Sequence, residues 1–361
     1  MWYNTNGDSM KILIVPDSFK GSMTSKEVCD IIEKSLIEEN AETMAIPFSD
    51  GGEGFSDCLC ELCGGKKLTV ECHDIYGTKI ERDITVFGNT AVIETAAASG
   101  LQKRKQVMNA SSYGTGQLIK FACDKGYNHI ILGLGGSGCC DGGAGAIEAL
   151  GGRFLDENQN EIKNIKARDL NYIFGTDFRK MAKGINITFA CDVDNVLYGK
   201  DGAAYVFAPQ KGARKTDVEE LDAGLQRLNA FFKKDVSKIK GGGAAGGICA
   251  GLYAIYGGEI KSGFDILSEY SKAEEKIKEC DIVVTGEGKT DKQTMMGKLP
   301  YRIAQLAKKY NKKCVVISGT ADNVTLGDKM ITLTGNGIDE AYAMEHCKEL
   351  LYKKAKEVLN N

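Results

Sequence analysis

Gly133-Leu134-Gly135-Gly136-Ser137-Gly138-Cys139-Cys140-Asp141-Gly142-Gly143-Ala144-Gly145 follows an apolar run, His129-Ile130-Ile131-Leu132, and opens into Ala146-Ile147-Glu148-Ala149-Leu150. An apolar strand, a glycine loop and a helix in that order form the unit from which parallel α/β sheets are built. Seven glycines in thirteen positions leave the backbone nearly bare. Its N–H groups can then approach an anion, and the helix start that follows adds a positive dipole end. The stretch predicts a phosphate cradle made of Gly133, Gly135, Gly136, Ser137, Asp141, Gly142 and Gly143.

Working outward, short β-branched runs alternate with helical patterns. Lys11-Ile12-Leu13-Ile14-Val15 reads as a buried parallel strand ended by Pro16. A helix follows with Thr24 and Glu27 as a capping box and Val28, Ile31, Ile32 and Leu36 on its apolar face. A second strand at Met44–Pro47 and a second helix at Gly54–Cys63 continue the rhythm. Between Lys67 and Ile93 the pattern changes to adjoining strands. It then returns to alternation, ending with buried strands at Asp281–Val284 and Cys314–Ile317 around a helix at Tyr301–Tyr310. The expected fold is α/β with two α/β domains. One is a discontinuous Rossmann-like parallel-sheet domain built from both chain ends, residues 1–75 and 275–361. The other is an inserted α/β domain, 76–274, carrying the glycine-rich loop.

Composition narrows the class. The chain has 361 residues, long for a single core. A net charge of −3 gives no electrostatic reason to expect nucleic acid or an anionic membrane as partner. No apolar run approaches the roughly 18 residues of a spanning helix. The start, Met1-Trp2-Tyr3-Asn4-Thr5-Asn6-Gly7-Asp8, is polar and acidic, unlike a secretory signal. Thirteen cysteines, an odd number, with only three histidines suit reduced thiols in a cytoplasmic protein better than disulfides or a metal at Cys58, Cys60 and Cys63. Glycine is the outlier: 44 residues with only four prolines, about twice the usual share. The glycines cluster in loops, as an enzyme requires where backbone must meet ligand.

Four further polar segments sit at predicted strand ends, where open α/β sheets bind ligands. Pro16-Asp17-Ser18-Phe19-Lys20-Gly21-Ser22 offers Lys20 as a cation and Asp17 as base or metal partner, or else a turn that Asp17 caps. Phe48-Ser49-Asp50-Gly51-Gly52-Glu53-Gly54 suits Mg²⁺ or substrate hydroxyls, or a helix cap with Glu53 as box partner. Ala190-Cys191-Asp192-Val193-Asp194-Asn195 puts Asp192 and Asp194 on one side of an extended backbone, able to hold a cation or accept a hydroxyl proton. An Asp/Asn-rich turn is the plainer alternative. Last, Thr285-Gly286-Glu287-Gly288-Lys289-Thr290-Asp291-Lys292-Gln293-Thr294 runs on to Lys298. Gly288-Lys289-Thr290 looks like the end of a P-loop, but the first glycine would fall at Val283, so that motif fails. Glu287, Asp291, Gln293 and Lys298 remain as acid, acid, amide and cation in one loop.

Within the glycine loop, Gly133, Gly135 and Gly138 also satisfy G-x-G-x-x-G, with Asp156 and Glu157 about 20 residues on, which raises a dinucleotide and hence an NAD-dependent oxidoreductase. Asp141 argues otherwise, since it would repel a pyrophosphate unless a metal intervened; a metal–triphosphate accounts for it better.

These segments, in this order, resemble the bacterial glycerate kinase family of the type unrelated to MOFRL enzymes. The resemblance runs from Lys11 to about Gly319. It rests on Pro16-Asp17-Ser18-Phe19-Lys20-Gly21, Asp50-Gly51-Gly52-Glu53-Gly54, Tyr113-Gly114-Thr115-Gly116, Gly133-Leu134-Gly135-Gly136-Ser137, Ala190-Cys191-Asp192-Val193, Pro209-Gln210-Lys211-Gly212-Ala213, Gly243-Ala244-Ala245-Gly246-Gly247 and Thr285-Gly286-Glu287-Gly288. It implies a kinase transferring the γ-phosphoryl of ATP to D-glycerate with Mg²⁺, giving 2-phosphoglycerate ahead of 3-phosphoglycerate, and, where the chain assembles, a homodimer. Asp192, Lys20 and Asp291 are then the expected catalytic groups. The glycine loop binds the nucleotide, Asp17, Ser18, Gln293 and Lys298 bind substrate, and Glu287 and Asp194 hold metal. Two departures stand out. Where the family reads Ser-Ala-Thr-Asn-Asp-Gly-Gly this chain has Ser137-Gly138-Cys139-Cys140-Asp141-Gly142-Gly143, and the Thr expected after Gly54 is Phe55. The first departure also makes a non-catalytic sugar-acid sensor thinkable.

Overall fold

The computed structural model describes residues 9–49, 52 and 54–360. The strands, in chain order, are β1 (Lys11–Pro16), β2 (Glu42–Ala45), β3 (Lys66–His73), β4 (Lys79–Phe87), β5 (Thr90–Glu94), β6 (His129–Gly133) and β7 (Arg153–Leu155). They continue as β8 (Glu161–Ile162), β9 (Gly175–Asp177), β10 (Asn186–Ala190), β11 (Glu259–Lys261), β12 (Ile282–Thr290), β13 (Lys313–Ala321) and β14 (Lys329–Thr332). The chain divides into two compact units, one made of residues up to Cys63 and from Phe264 onward, the other of Gly64–Gly263. The joins therefore fall earlier than 75 and 275. β3 belongs to the middle unit because it pairs antiparallel with β4 along its whole length, from Lys66 opposite Val86 to His73 opposite Lys79.

The unit built from the two chain ends holds one sheet in the order β14-β13-β12-β1-β2, parallel throughout. β1 is buried from Ile12 to Val15, as a central strand covered on both faces must be. From β1 the chain passes to β2 on one side, while β12, β13 and β14 fill the other. The β1/β12 pair is thus a topological switch point, where crossovers diverge and leave a crevice at the carboxyl ends. The expected capping box opens the helix Ser25–Ile37: Thr24 Oγ1 accepts from Glu27 N, and Glu27 Oε2 accepts from Thr24 N at 2.9 Å.

The middle unit has a sheet in the order β11-β10-β6-β5-β4-β3, in which β5, β6, β10 and β11 run parallel and β3 and β4 antiparallel. Its strands follow chain order from edge to edge, so no switch point arises. A small antiparallel sheet, β8-β7-β9, lies outside the predicted elements. All thirteen cysteines are free thiols, most of them buried. No helix among the described residues is long and apolar enough to cross a membrane.

Candidate active site

In the unit made by the chain ends, the crevice at the switch point is a cavity of about 490 Å³. Asp17, Ser18 and Lys20 enter it from the end of β1, and Glu287, Gly288 and Lys289 from the end of β12. Lys298 lines it too, while Phe19, Ala343, Met344 and Cys347 supply an apolar wall. Several bonds hold the first loop in place. Asp17 N donates to Gly286 O at 2.8 Å, Ser18 N donates to Asp17 Oδ1 at 2.6 Å, and Phe19 and Met23 bond each other reciprocally across the turn.

Glu287 is only 6% exposed. Thr294 Oγ1 donates to its Oε1, and Lys298 Nζ stands 3.8 Å from Oε2. Burial pushes its carboxyl above the usual range, against the pull of the Thr294 hydroxyl and the Lys298 ammonium. Asp291 and Gln293 do not line the cavity. Asp291 Oδ1 accepts from the N–H groups of Gln293 and Thr294, making a turn that presents Thr294 to Glu287. Their place is one layer back from the one expected of them. Asp50 and Glu53 lie outside the described residues; Phe55, which follows, is fully buried and packs as core.

In the middle unit the glycine loop after β6 divides into two parts. From Gly138 onward its glycine amides are spent within the protein. Gly138 N donates to Ser99 O at 2.7 Å, and Gly142 N to Gly246 O at 3.0 Å. Asp141, with no exposed surface, accepts from Ser112 N (2.7 Å), Ser112 Oγ (2.8 Å), Gly145 N (3.2 Å) and Gly143 N (3.2 Å). Burial raises its carboxyl pKa, and those hydrogen bonds pull against the rise. The glycine amides of this half of the expected cradle are therefore not left for a phosphate, and Asp141 has no free face for a metal. The glycines serve close packing instead. A Cβ on Gly246 would stand 2.0 Å from Cys139 O, and one on Gly145 2.1 Å from Ser111 Oγ. Cys139 and Cys140 are fully buried, with the Cys140 thiol pushed up to about 12 by burial, so they act as small core residues.

The other part, Gly135-Gly136-Ser137, projects as an apex with both glycines exposed. Its carbonyls are engaged: Thr95 Oγ1 donates to Gly135 O, and Leu101 N to Gly136 O. Beneath it lies Lys211, only 3% exposed, whose ammonium donates to Ser137 Oγ at 3.0 Å and Cys139 O at 2.8 Å. Lys211 was not among the expected site residues. The sequence signal for it was a cation between Pro209-Gln210 and Gly212 inside one of the quoted motifs.

β10 lies beside β6 with Ala190 opposite Gly133, so Asp192 and the apex leave the same sheet edge. Asp192 is exposed, and its Oδ1 accepts from Gly263 N at 3.2 Å. Asp194, 84% exposed, pairs with Lys240 at 3.5 Å. The two carboxylates thus have separate partners, and no group of three His, Cys, Asp or Glu suited to a metal occurs among the described residues. The dinucleotide alternative fails on topology. Asp156 follows β7, an antiparallel strand, and its carboxylate caps its own turn through Asn158 N and Asn160 N.

Against known proteins, a model of the glycerate kinase family matches residues 12–361. A glycerate 2-kinase of Escherichia coli K12 is 38% identical over 350 residues, covering 93% of this chain and 90% of that protein. A glycerate kinase of Bacillus cereus is 40% identical over 329 residues, covering 86% of this chain and 85% of the relative. A crystal structure assigned to a glycerate kinase 2 of Salmonella typhimurium LT2 superposes with a TM-score of 0.87 at 36% identity, covering 98% of each chain.

Proposed function

Since the chain belongs to the glycerate kinase family, we propose that it transfers the γ-phosphoryl group of ATP to the 2-hydroxyl of D-glycerate, releasing ADP and 2-phosphoglycerate. The observation that carries this reading is the cavity at the β1/β12 switch point. It joins an apolar wall to three carboxylates, Asp17, Glu287 and Glu340, and three lysines, Lys20, Lys289 and Lys298. At about 490 Å³ it falls in the range of nucleotide-sized sites and far exceeds what a three-carbon acid needs.

Phosphoryl transfer asks a protein for positioning and charge neutralisation more than for covalent chemistry. In this cavity Phe19, Ala343 and Met344 would pack the nucleoside, and Lys20 and Lys298 would meet the polyphosphate. Mg²⁺ is usually bound through one or two carboxylates together with phosphate oxygens and water, so Asp17 and Glu287 form a fitting pair; when bound it would spread the phosphoryl charge. Glu287 would exchange the distant Lys298 contact for that role while Thr294 keeps its other oxygen fixed. In the middle unit, the edge formed by β6 and β10 would take the acid. Asp192 would orient or accept the proton of the attacking hydroxyl, and the apex at residues 135–137 would meet an anionic oxygen. Asp194, already paired with Lys240, and Asp141, already saturated, take no part.

A coupled ADP-release assay over small hydroxy acids, with phosphorus NMR of the product, tests the reading. D-Glycerate should be the preferred acceptor, with the product signal of a secondary phosphate ester. A primary ester would move the attack to the 3-hydroxyl. Binding of both ligands without ADP release would leave a sensor in place of a kinase.

A further inference from the structure

The Lys211 ammonium can only donate. Its 3.0 Å contact therefore makes Ser137 Oγ the acceptor, and the hydroxyl proton of Ser137 must point to another group. No acceptor for that proton occurs among the described residues, although Ser137 is only 8% exposed. The N–H groups of Gly135, Gly136 and Ser137 likewise have no internal acceptor there, while the carbonyls of both glycines are occupied. A nearly buried hydroxyl donor without an acceptor is rare in folded proteins, and here it stands beside the exposed amides of Gly135 and Gly136, which a ligand can reach. Lys211 is itself unusual: a nearly buried cation with two neutral acceptors and no carboxylate within ion-pair distance among the described residues. Desolvating an ammonium without a counter-charge is costly. The place is short of negative charge and rich in donors.

We infer that Lys211 is a positioning residue. By donating to Ser137 Oγ it turns the Ser137 hydroxyl into a donor aimed, with the amides of residues 135–137, at an anionic oxygen of the ligand, and its own buried charge strengthens the hold. The inference deepens the kinase reading and rests on it for the choice of ligand. The anion is a carboxylate, as in glycerate, or a phosphoryl oxygen, and either would be gripped by the same donors. The glycine loop thus keeps an anion-binding role at its apex, while its later glycine amides are tied up within the protein.

The test is calorimetric titration of the full-length wild type, Ser137→Ala, Ser137→Thr and Lys211→Met with D-glycerate, ADP and inorganic phosphate, alongside kcat and KM for each substrate. A hydrogen bond to a charged group should weaken binding about tenfold to a hundredfold when lost. Ser137→Ala and Lys211→Met should each raise KM and Kd for one ligand by that factor, with Ser137→Thr restoring it and the double variant no worse than the weaker single. An effect on glycerate assigns the carboxylate; an effect on ADP and phosphate assigns the phosphoryl group. Unchanged affinity for all three ligands in folded Ser137→Ala, or a wild type that binds none of them, overturns the inference. Lys211→Met is informative only with a thermal midpoint near wild type, and Ser137→Ala decides the matter without it. A wild type that binds these anions but releases no ADP would sink the kinase reading while leaving the Ser137 comparison intact.

Discussion

The edge of β1 and β12 and the edge of β6 and β10 are both carboxyl ends of parallel strands, yet they are built for opposite purposes. The first lies where the strand order diverges, and it stays open as a cavity with Glu287 at its wall. The second lies in a sheet whose strands follow chain order, and most of its glycine loop has closed on itself around Asp141. Each edge contains one buried carboxylate whose pKa burial raises. They differ in satisfaction. Asp141 accepts four hydrogen bonds and faces only protein, whereas Glu287 has one firm donor and a lysine at 3.8 Å. A carboxylate with every partner supplied by its own chain braces the fold; one left short is free to serve a ligand.

The harshest way to break this contrast is Asp141→Ala. It strands the N–H groups of Ser112, Gly143 and Gly145 and the Ser112 hydroxyl in a site with no exposed surface. Removing one side of such a network should cost about 3–5 kcal/mol. The urea midpoint should fall accordingly, and expression at growth temperature should suffer. A variant of near-normal stability that had merely lost turnover would return Asp141 to the chemistry.

The exposed acid of the same edge should behave in the opposite manner. Asp192→Asn should lower kcat by ~10²–10⁴, the usual worth of a positioned proton acceptor, and leave the thermal midpoint where it was. Turnover within a few-fold of wild type would remove Asp192 from the reaction. On the other edge, Glu287→Gln should cost roughly a hundredfold in kcat/KM, in line with the several kcal/mol that metal-assisted charge stabilisation is worth. It should also raise the Mg²⁺ concentration needed for half-maximal rate. A full rate at unchanged Mg²⁺ demand would place the metal elsewhere.

The same contrast marks where the sequence was legible. β1, β12 and β13 were readable because each is a continuous apolar run, and Pro16 and Gly286 announce where chemistry can start. That Asp17, Ser18, Lys20, Glu287 and Lys298 share a cavity followed from placing loops at strand ends. The glycine loop misled for a physical reason. Bare backbone looks alike whether it awaits a ligand or packs against Gly246 and Ser112, and those partners lie about 30 to 100 residues away in sequence. The burial of Lys211 was illegible for the same reason, since it is decided by tertiary neighbours, here Ser137 and Cys139. The short strands β7, β8 and β9 carry too few residues for a period to show. The C-terminal helix Cys347–Ala355 turns Lys353 and Lys354 to ion pairs with Glu349 and Glu357, yet its first residue lines the cavity.

The smallest effect is the finest probe of Glu287. Its folded pKa stands above the ordinary 4.5 because burial outweighs Thr294 and Lys298. The native state therefore binds this proton more tightly than the unfolded chain does, and stability contributed by the protonated group is lost as pH rises from the ordinary value through the raised one. Glu287→Gln cannot ionise. Measured by urea unfolding from about pH 4 to about pH 8, the variant should gain on wild type as pH climbs through that window and hold its advantage beyond it. A gap that ran the other way, with wild type gaining as pH rises, would mean that the Lys298 ammonium overcomes burial. Glu287 would then be a satisfied ion-pair partner of Lys298, and the argument that it is held in reserve for a metal would fail.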